Sequence, residues 1–568
     1  MKIKKIILVA CLLLAILAMG SVNASDESAD LSAACDVGDE SLNDSVAQDD
    51  DNVLGSGIES GEDEVMEQTN GEAIGADDGT FKSLQDKIND AEEGSTITLE
   101  NGYSYNDGFD VNGIVISKAL TIDGRGFTID AKNKAKAFKI SDASNVTIKN
   151  LRIVNGMMSG HTEKTGYSGR ITAYVMSSGA AIDIDNSMVT VVGCTFANNL
   201  IEGEGGAICA QNSILKVINS EFYGNQAIND SYGGGAIYVE KCTLNVENSN
   251  FNNNYAIGNE DSRGGAISVN EKSTVLIRGC NFNNNFAVSE GGAICTFNFH
   301  DEKITMTIAD SRFNNNLALE WGGGIYICKT ILNMTGSSFT NNAAYAIHAQ
   351  QESNAVVRST TFKDNEVHVY ESTVDTAGCK FLYSTELSTN KVSATYNSDV
   401  DLVITLKDSF DRAVKGVRLS TNIKGFESLT TDSNGQARIP IGKLEPKAYN
   451  VKITFSGDSK YLESSKTVKF TVNKATPKLT AKAKAFKKSV KTKKYSVVLK
   501  TNQNKAMKNV KVTLKINRKT FTAKTNSNGK ATFKITKLTK KGTFTSTVTY
   551  KGDKYYNKVA KKVKIKVK

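Results

Sequence analysis

The sequence predicts an all-β chain: a right-handed single-stranded parallel β-helix followed by two β-sandwich domains. Three observations carry that prediction. First, a phenylalanine is followed three residues later by an asparagine seven times, at Phe196/Asn199, Phe222/Asn225, Phe251/Asn254, Phe282/Asn285, Phe313/Asn316, Phe339/Asn342 and Phe362/Asn365, with intervals of 26, 29, 31, 31, 26 and 23 residues. Second, Gly-Gly-Ala-Ile recurs between these pairs at Gly205–Ile208, Gly234–Ile237, Gly264–Ile267 and Gly291–Ile294, with Gly322–Ile325 as a variant and degenerate copies at Gly179–Ile182 and Tyr345–Ile347. Third, Thr431–Gly435 and Gly457–Tyr461 return as Thr525–Gly529 and Gly552–Tyr556, and Ala413/Val417 as Ala506/Val510, a steady offset of 93 to 95 residues. Self-similarity near thirty residues means stacked units, none able to bury its apolar side alone.

Composition agrees. A chain of 568 residues exceeds one ordinary core, and 46 glycines with three prolines and one tryptophan suit β-structure better than helical bundles. Lys2, Lys4 and Lys5 precede an apolar run, Ile6–Met19, and a small-residue pattern at Val22–Ala24. That reads as a secretory signal peptide over residues 1–24, too short for a spanning helix, so the mature protein is expected outside the cell without a membrane span. Leu8–Cys11 has the form of a lipoprotein box, but the apolar run continues past Cys11, as it does in a plain signal core. Residues 25–78 form an acidic leader without aromatic residues, expected to be disordered because it cannot bury enough apolar surface.

Residues 79–390 are assigned to the β-helix. Phe81, Leu84, Ile88 and Ala91 lie on one face of a short helix that would cap the first coil. Short alternating runs follow at 96–99, 113–116, 119–124, 127–130, 138–140, 146–148 and 151–154. One repeat reads as three strands and three turns: Gly234–Val239, Thr243–Ser249 and Phe251–Asn254, then a polar loop. In this reading Gly206, Gly235, Gly265 and Gly292 serve tight turns or close backbone approach, phenylalanines fill the core and asparagines form a hydrogen-bonded ladder. Ten to twelve coils would make a rod of about 50 Å. The nine cysteines invite disulfides in an exported protein. Cys194, Cys280 and Cys379, however, share the slot held by serine or threonine in other repeats, and Cys209 shares another with Cys295. Equivalents three coils apart lie about 14 Å apart, so these are read as interior packing positions, with a bridge across one coil, such as Cys194 to Cys209, as the alternative.

Gly-Gly-Ala-Ile with Phe-x-x-Asn resembles the repeats of chlamydial polymorphic outer-membrane proteins and is similar to the adhesin-like β-helix proteins of methanogenic archaea. The resemblance covers residues 81–385 and implies a cell-surface, adhesive role. The chlamydial proteins end in a transmembrane barrel, whereas this chain continues into the tandem pair. Its alternating strands and Asn-Gly pairs, read as hairpins, look like bacterial-type immunoglobulin-like modules, residues 391–475 and 476–568, of the kind that serve as stalks.

Parallel β-helices of the pectate-lyase type also host carbohydrate enzymes, which cluster carboxylates on adjacent coils. Asp183 and Asp185 share one face, with Asp123, Asp130, Arg152 and Arg170 within a few coils. No polygalacturonase-type run is present in the β-helix region, and Asp123 and Asp130 sit beside turn glycines. His161, His300, His348 and His368 are scattered without a metal pattern, so neither enzyme activity nor a cofactor is expected. Binding is the favoured class. Edge loops after each Phe-x-x-Asn carry Tyr232, Tyr255, Glu260, Arg263 and Trp321, and the long insertion 157–178 carries Tyr167 and Arg170; this mixture suits surface glycans or proteins of another cell. From Asn473 to Lys568 there are 29 lysines, one arginine and one acid, Asp553. Few bidentate donors argue against nucleic acid and for an anionic cell-wall polymer as partner.

Overall fold

The computed structural model describes residues 78–159, 178–228, 232–258 and 262–568, with the backbone of 161–163, 173–175 and 177. The signal and acidic-leader assignments lie outside the described residues, as do Tyr167, Arg170 and Glu260. Residues 81–90 form the capping helix. Thr80 accepts from the Ser83 amide while the Ser83 side chain reaches back, and Phe81, Leu84 and Ile88 are buried over the first coil.

The solenoid is built from stacked parallel sheets. A phenylalanine sheet and a valine–leucine sheet have eleven strands each, and a glycine–isoleucine sheet has ten. A fourth, flanking sheet was not foreseen: the stretches after Phe-x-x-Asn open with short strands at Gln226–Ile228, Tyr255–Ile257, Phe286–Ala287 and Leu317–Ala318, which join Leu200–Glu204. A full repeat therefore has four strands rather than three. The insertion 157–178 likewise contributes strands, including an antiparallel pair, His161–Glu163 with Ala173–Val175.

Inside, like stacks on like. Phe196, Phe222, Phe251, Phe282, Phe313, Phe339, Phe362 and Phe381 form one column with ring centroids 4.6–5.2 Å apart and interplanar angles of 2–12°. From Asn199 through Asn225, Asn254, Asn285, Asn316 and Asn342 to Asn365, each asparagine Nδ2 donates to the next asparagine's Oδ1 at 2.9–3.0 Å. The same Oδ1 accepts from a backbone amide, as Asn285 does from Asn254.

The ladder differs from a purely side-chain one in the second bond of each amide. Asn225, Asn316 and Asn342 also donate from Nδ2 to the carbonyls of Phe196, Phe282 and Phe313, at 3.0, 2.9 and 2.9 Å. Each asparagine thus ties side chain to backbone across two coils, because a fully buried amide has to place both of its donors. All seven asparagines are buried, and the column is satisfied without water. The two glycines of the motif have separate reasons. Gly234 has φ +75°, while a Cβ on Gly235 would sit 2.6 Å from the Tyr255 amide nitrogen of the next flanking strand.

The described cysteines are free thiols. Cys194 and Cys280 stand in serine columns, their amides donating to Ser220 and Ser311 Oγ at 3.2 Å. Burial pushes the Cys194 thiol up to about 11. Cys209 and Cys295 are also buried, but they point outward from the glycine–isoleucine sheet, and Cys295 packs with Tyr326 and Cys328 outside the main core.

Each sandwich pairs a three-stranded with a five-stranded sheet. In the first, the short strand Ala394–Thr395 pairs in parallel with the last strand, Ser464–Asn473; in the second, Lys484–Phe486 pairs likewise with Val559–Val567. Asn434-Gly435 is not a simple hairpin. Its turn closes with the Asp432 amide donating to the Gln436 carbonyl at 2.8 Å, but the flanking strands 428–430 and 436–439 belong to different sheets. The second repeated motif makes a joint. Tyr383, after the last phenylalanine strand, donates its amide to the Lys460 carbonyl and accepts from the Leu462 amide, both 2.9 Å. Ala475 does the same with Tyr555 and Asn557 at 3.0 and 2.8 Å.

Candidate binding strip along one edge of the solenoid

The residue after Gly-Gly-Ala-Ile starts an outward row. Asp183, Cys209, Tyr238, Ser268, Cys295, Tyr326, His348 and His368 are register partners in successive coils. A sheet's outer face is ordinarily wet, yet Cys209, Tyr238, Ser268, Cys295, Tyr326 and His348 are buried. A second column runs beside it, with Arg263 bridged to Glu290 and Glu290 to Trp321.

At the N-terminal end of the row Lys136 and Asp183 form an ion pair with side chains only 5% and 17% exposed, and Ser178 Oγ donates to Asp183 at 2.9 Å. Asp185 is exposed and accepts from Asn212. Both members of the predicted aspartate pair are thus engaged in cross-coil contacts. Asp123 and Asp130 occupy turns, accepting from the Arg125 and Lys132 amides.

In the middle, Arg263 Nε donates to Glu290 at 2.7 Å and its guanidinium lies 4.0 Å over the Phe297 ring. The residue is 8% exposed, so it is not the open loop contact that its sequence position predicted: the carboxylate and the ring enclose it. Burial drives the Glu290 carboxyl above its ordinary range, against the opposing pull of Arg263. Phe299, 57% exposed, stands edge-on to Phe297 and to Tyr232 at 4.7 and 6.1 Å.

At the C-terminal end five rings assemble. Trp321, 39% exposed, stacks nearly parallel on Tyr345 at 6.3 Å and on His368 at 5.7 Å, and lies 4.8 Å from His348. The two histidines, which look scattered in the sequence, face each other with Nδ1 atoms 3.1 Å apart, and Tyr326 stacks on His348 at 5.4 Å. Burial, aided by His368, holds His348 down to about 4, so it is neutral at physiological pH. No group of three or more metal-ligating side chains occurs among the described residues.

Tyr232, Arg263 and Trp321 thus fall on one strip. Tyr255 does not: it is half-buried in the flanking sheet, in register with Gln226 and Phe286. The repeat residues do not reach the strip either. Asn199, Asn225, Asn254, Asn285, Asn316 and Asn342 are sealed in the interior with the phenylalanine column, so they are scaffold and offer no ligand contact. Glu290, Phe297, Phe299, Tyr326, Tyr345 and the pairing of His348 with His368 also belong to the strip and carry no motif of their own in the sequence. The slot shared by Cys209 and Cys295 was the available signal, because Tyr238, Tyr326 and His348 occupy the same slot. Chemically the strip offers flat rings in neighbouring coils, about 4.8 Å apart along the axis, flanking a buried ion pair. That arrangement favours stacking on planar or ring-shaped ligands.

Comparison with known proteins agrees with the architecture. The right-handed β-helix region family matches residues 205–396, and the repeat of the Chlamydia polymorphic membrane protein matches residues 193–211. No curated protein matches the sequence. Among solved structures, an alginate lyase from Paenibacillus aligns at 14% identity over 52% of this chain and 97% of its own, with a TM-score of 0.34. PfbA, a surface adhesin of Streptococcus pneumoniae, aligns at 14% identity over 65% of this chain and 96% of its own, with a TM-score of 0.29. A three-domain segment of titin aligns at 10% identity over 32% of this chain and 65% of its own, with a TM-score of 0.22. By its family matches and its own sheet topology, the chain is an all-β protein with a right-handed β-helix region, a chlamydial-type repeat and two β-sandwich domains.

Proposed function

We propose that this chain is an exported cell-surface adhesin whose β-helix edge contacts glycans or proteins of another surface. The sandwiches serve as stalk, and the basic one meets an anionic wall polymer. The observation that carries the reading is the edge strip, where Trp321, Tyr345 and His368 form one ring stack and the edge-on pair Tyr232 and Phe299 a second aromatic cluster. Of these, Trp321 and Phe299 are exposed and the others partly so, and aromatic groups of this kind supply contact area at low entropic cost. Surface display draws on the signal-like N-terminus and on the chlamydial-type repeat; among the described residues no helix is long and apolar enough to cross a membrane.

A glycan and cell-surface binding screen with the full chain tests the reading. Ligands found should lose about tenfold or more in affinity in Trp321→Ala or Phe299→Ala; unchanged binding in both would leave the solenoid a structural coat element. A secreted polysaccharide lyase or hydrolase is the second reading, and the buried Glu290 beside Tyr326 is the reason to test it. Calcium-dependent release of unsaturated or reducing ends from acidic polysaccharides would replace the adhesin reading.

A further inference from the structure

The second sandwich presents an outward face made almost entirely of two residue types. In its five-stranded sheet, Val512, Leu514, Val548 and Ile565 point into the core. The alternate positions on strands Lys511–Ile516, Lys519–Lys524, Gly542–Tyr550 and Val559–Val567 face out. They are six lysines, Lys511, Lys515, Lys524, Lys562, Lys564 and Lys566, and otherwise threonines, with Ala560 at one end. Lys511 lies opposite Lys524, Thr547 lies between Lys515 and Lys562, and Lys564 and Lys566 face Thr545 and Thr543. Like charges directly across a ladder are unfavourable on their own, and the domain has no acid to spare. Its one acid, Asp553, accepts from the Tyr555 and Tyr556 amides in its own turn at 2.8 and 2.7 Å.

The result is a lattice of ammonium and hydroxyl groups, about 6.7 Å apart along a strand and about 4.8 Å between strands. The equivalent face of the first sandwich is more sparsely charged: its outward residues are mostly Ser, Thr and Asn, with Arg418, Lys452 and Lys469 as cations.

We propose that this lysine–threonine face is the binding surface for a linear acidic polysaccharide. The inference rests on the reading that the basic domain meets an anionic wall polymer, and it narrows that contact to one sheet face. Lysines neutralise carboxylates at intervals along the polymer, and threonine hydroxyls exchange hydrogen bonds with sugar hydroxyls, a double match that a chain of phosphates alone does not make. The face carries no arginine fork for base edges and no aromatic ring for base stacking.

The test uses the full chain and polygalacturonate as probe, with duplex DNA as competitor, at about 50 and 150 mM salt. One variant carries Lys→Gln at 511, 515, 524, 562, 564 and 566. A control carries Lys→Gln at 478, 494, 500, 505, 530 and 534, six lysines around the opposite sheet, so that both lose the same net charge. The face variant should lose more than about tenfold in affinity and most of the salt dependence, while the control loses less than about threefold. Melting of the second sandwich should survive in both, since like-charge neighbours are being removed. Equal losses in the two variants would overturn the face while keeping a diffuse polyanion contact. No retention of polygalacturonate by the native protein, or DNA held as tightly, would overturn the inference outright.

Discussion

The interior column and the edge row of the solenoid are built by the same rule, one residue per coil in register, and they fill it in opposite ways. The interior repeats a single residue, Phe on Phe and Asn on Asn, because each buried ring or amide presents to the next coil the same partner that it takes from the last. The edge row changes at nearly every coil: Asp183, Cys209, Tyr238, Ser268, Cys295, Tyr326, His348. Repetition marks what holds the rod together; variation along one register marks where the rod is free to specialise.

This contrast can be broken from the inside first. Phe282→Ala removes a ring stacked on both sides and should destabilise the solenoid by about 3–5 kcal/mol, read from the solenoid's own unfolding transition in denaturant. Asn285→Ala orphans the Asn254 amides and the Phe251 carbonyl, and should cost about 2–4 kcal/mol. Gly235→Ala pushes a methyl into the next flanking strand and should cost about 1–3 kcal/mol, whereas alanine at the open Gly94 should cost less, through its backbone conformation alone.

At the edge the effects are smaller and conditional. His348 in the fold is depressed to about 4 from 6.5. The unfolded chain therefore takes up the proton first, and the native state loses stability as pH falls from about 6.5 to about 4. His348→Gln should flatten that part of the melting-temperature profile relative to the native chain; superimposable profiles would show that the histidine pair carries no such linkage. Trp321→Ala, in the column beside the row, loses its ring contacts and should cost about 1–2 kcal/mol, less than the interior changes, while weakening any glycan contact. A large loss of stability there would place Trp321 with the scaffold instead of the binding surface.

How much could be read in advance follows the same division. Phe-x-x-Asn and Gly-Gly-Ala-Ile were legible because interior stacking enforces repetition, and the capping helix followed from Phe81, Leu84 and Ile88. The backbone half of the asparagine ladder was not, since the carbonyls that Asn225, Asn316 and Asn342 reach belong to phenylalanines 29 to 34 residues earlier. The flanking sheet escaped notice because its strands are two to five residues long and begin with Leu200, Gln226, Tyr255, Phe286 or Leu317. Its one regular mark, alanine at 227, 256, 287 and 318, is too common a residue to stand out. The burial of Arg263 was hidden for a related reason: Glu290 and Phe297, which enclose it, are supplied by the next coil. The pairing of His348 with His368 depended on a coil of only 20 residues, shorter than any interval in the repeat. Asn434-Gly435 misled because a tight turn specifies the local reversal but not which sheet each arm then joins.

The parallel pairing of a short early strand with the last strand in each sandwich bears on how each domain would respond to a pulling force. When the two ends of such a domain are drawn apart, these neighbouring strands slide along one another, so their hydrogen bonds are strained together. An antiparallel hairpin pulled at its open end parts rung by rung. A domain wired this way should yield later and more abruptly than such a hairpin when its two ends are drawn apart.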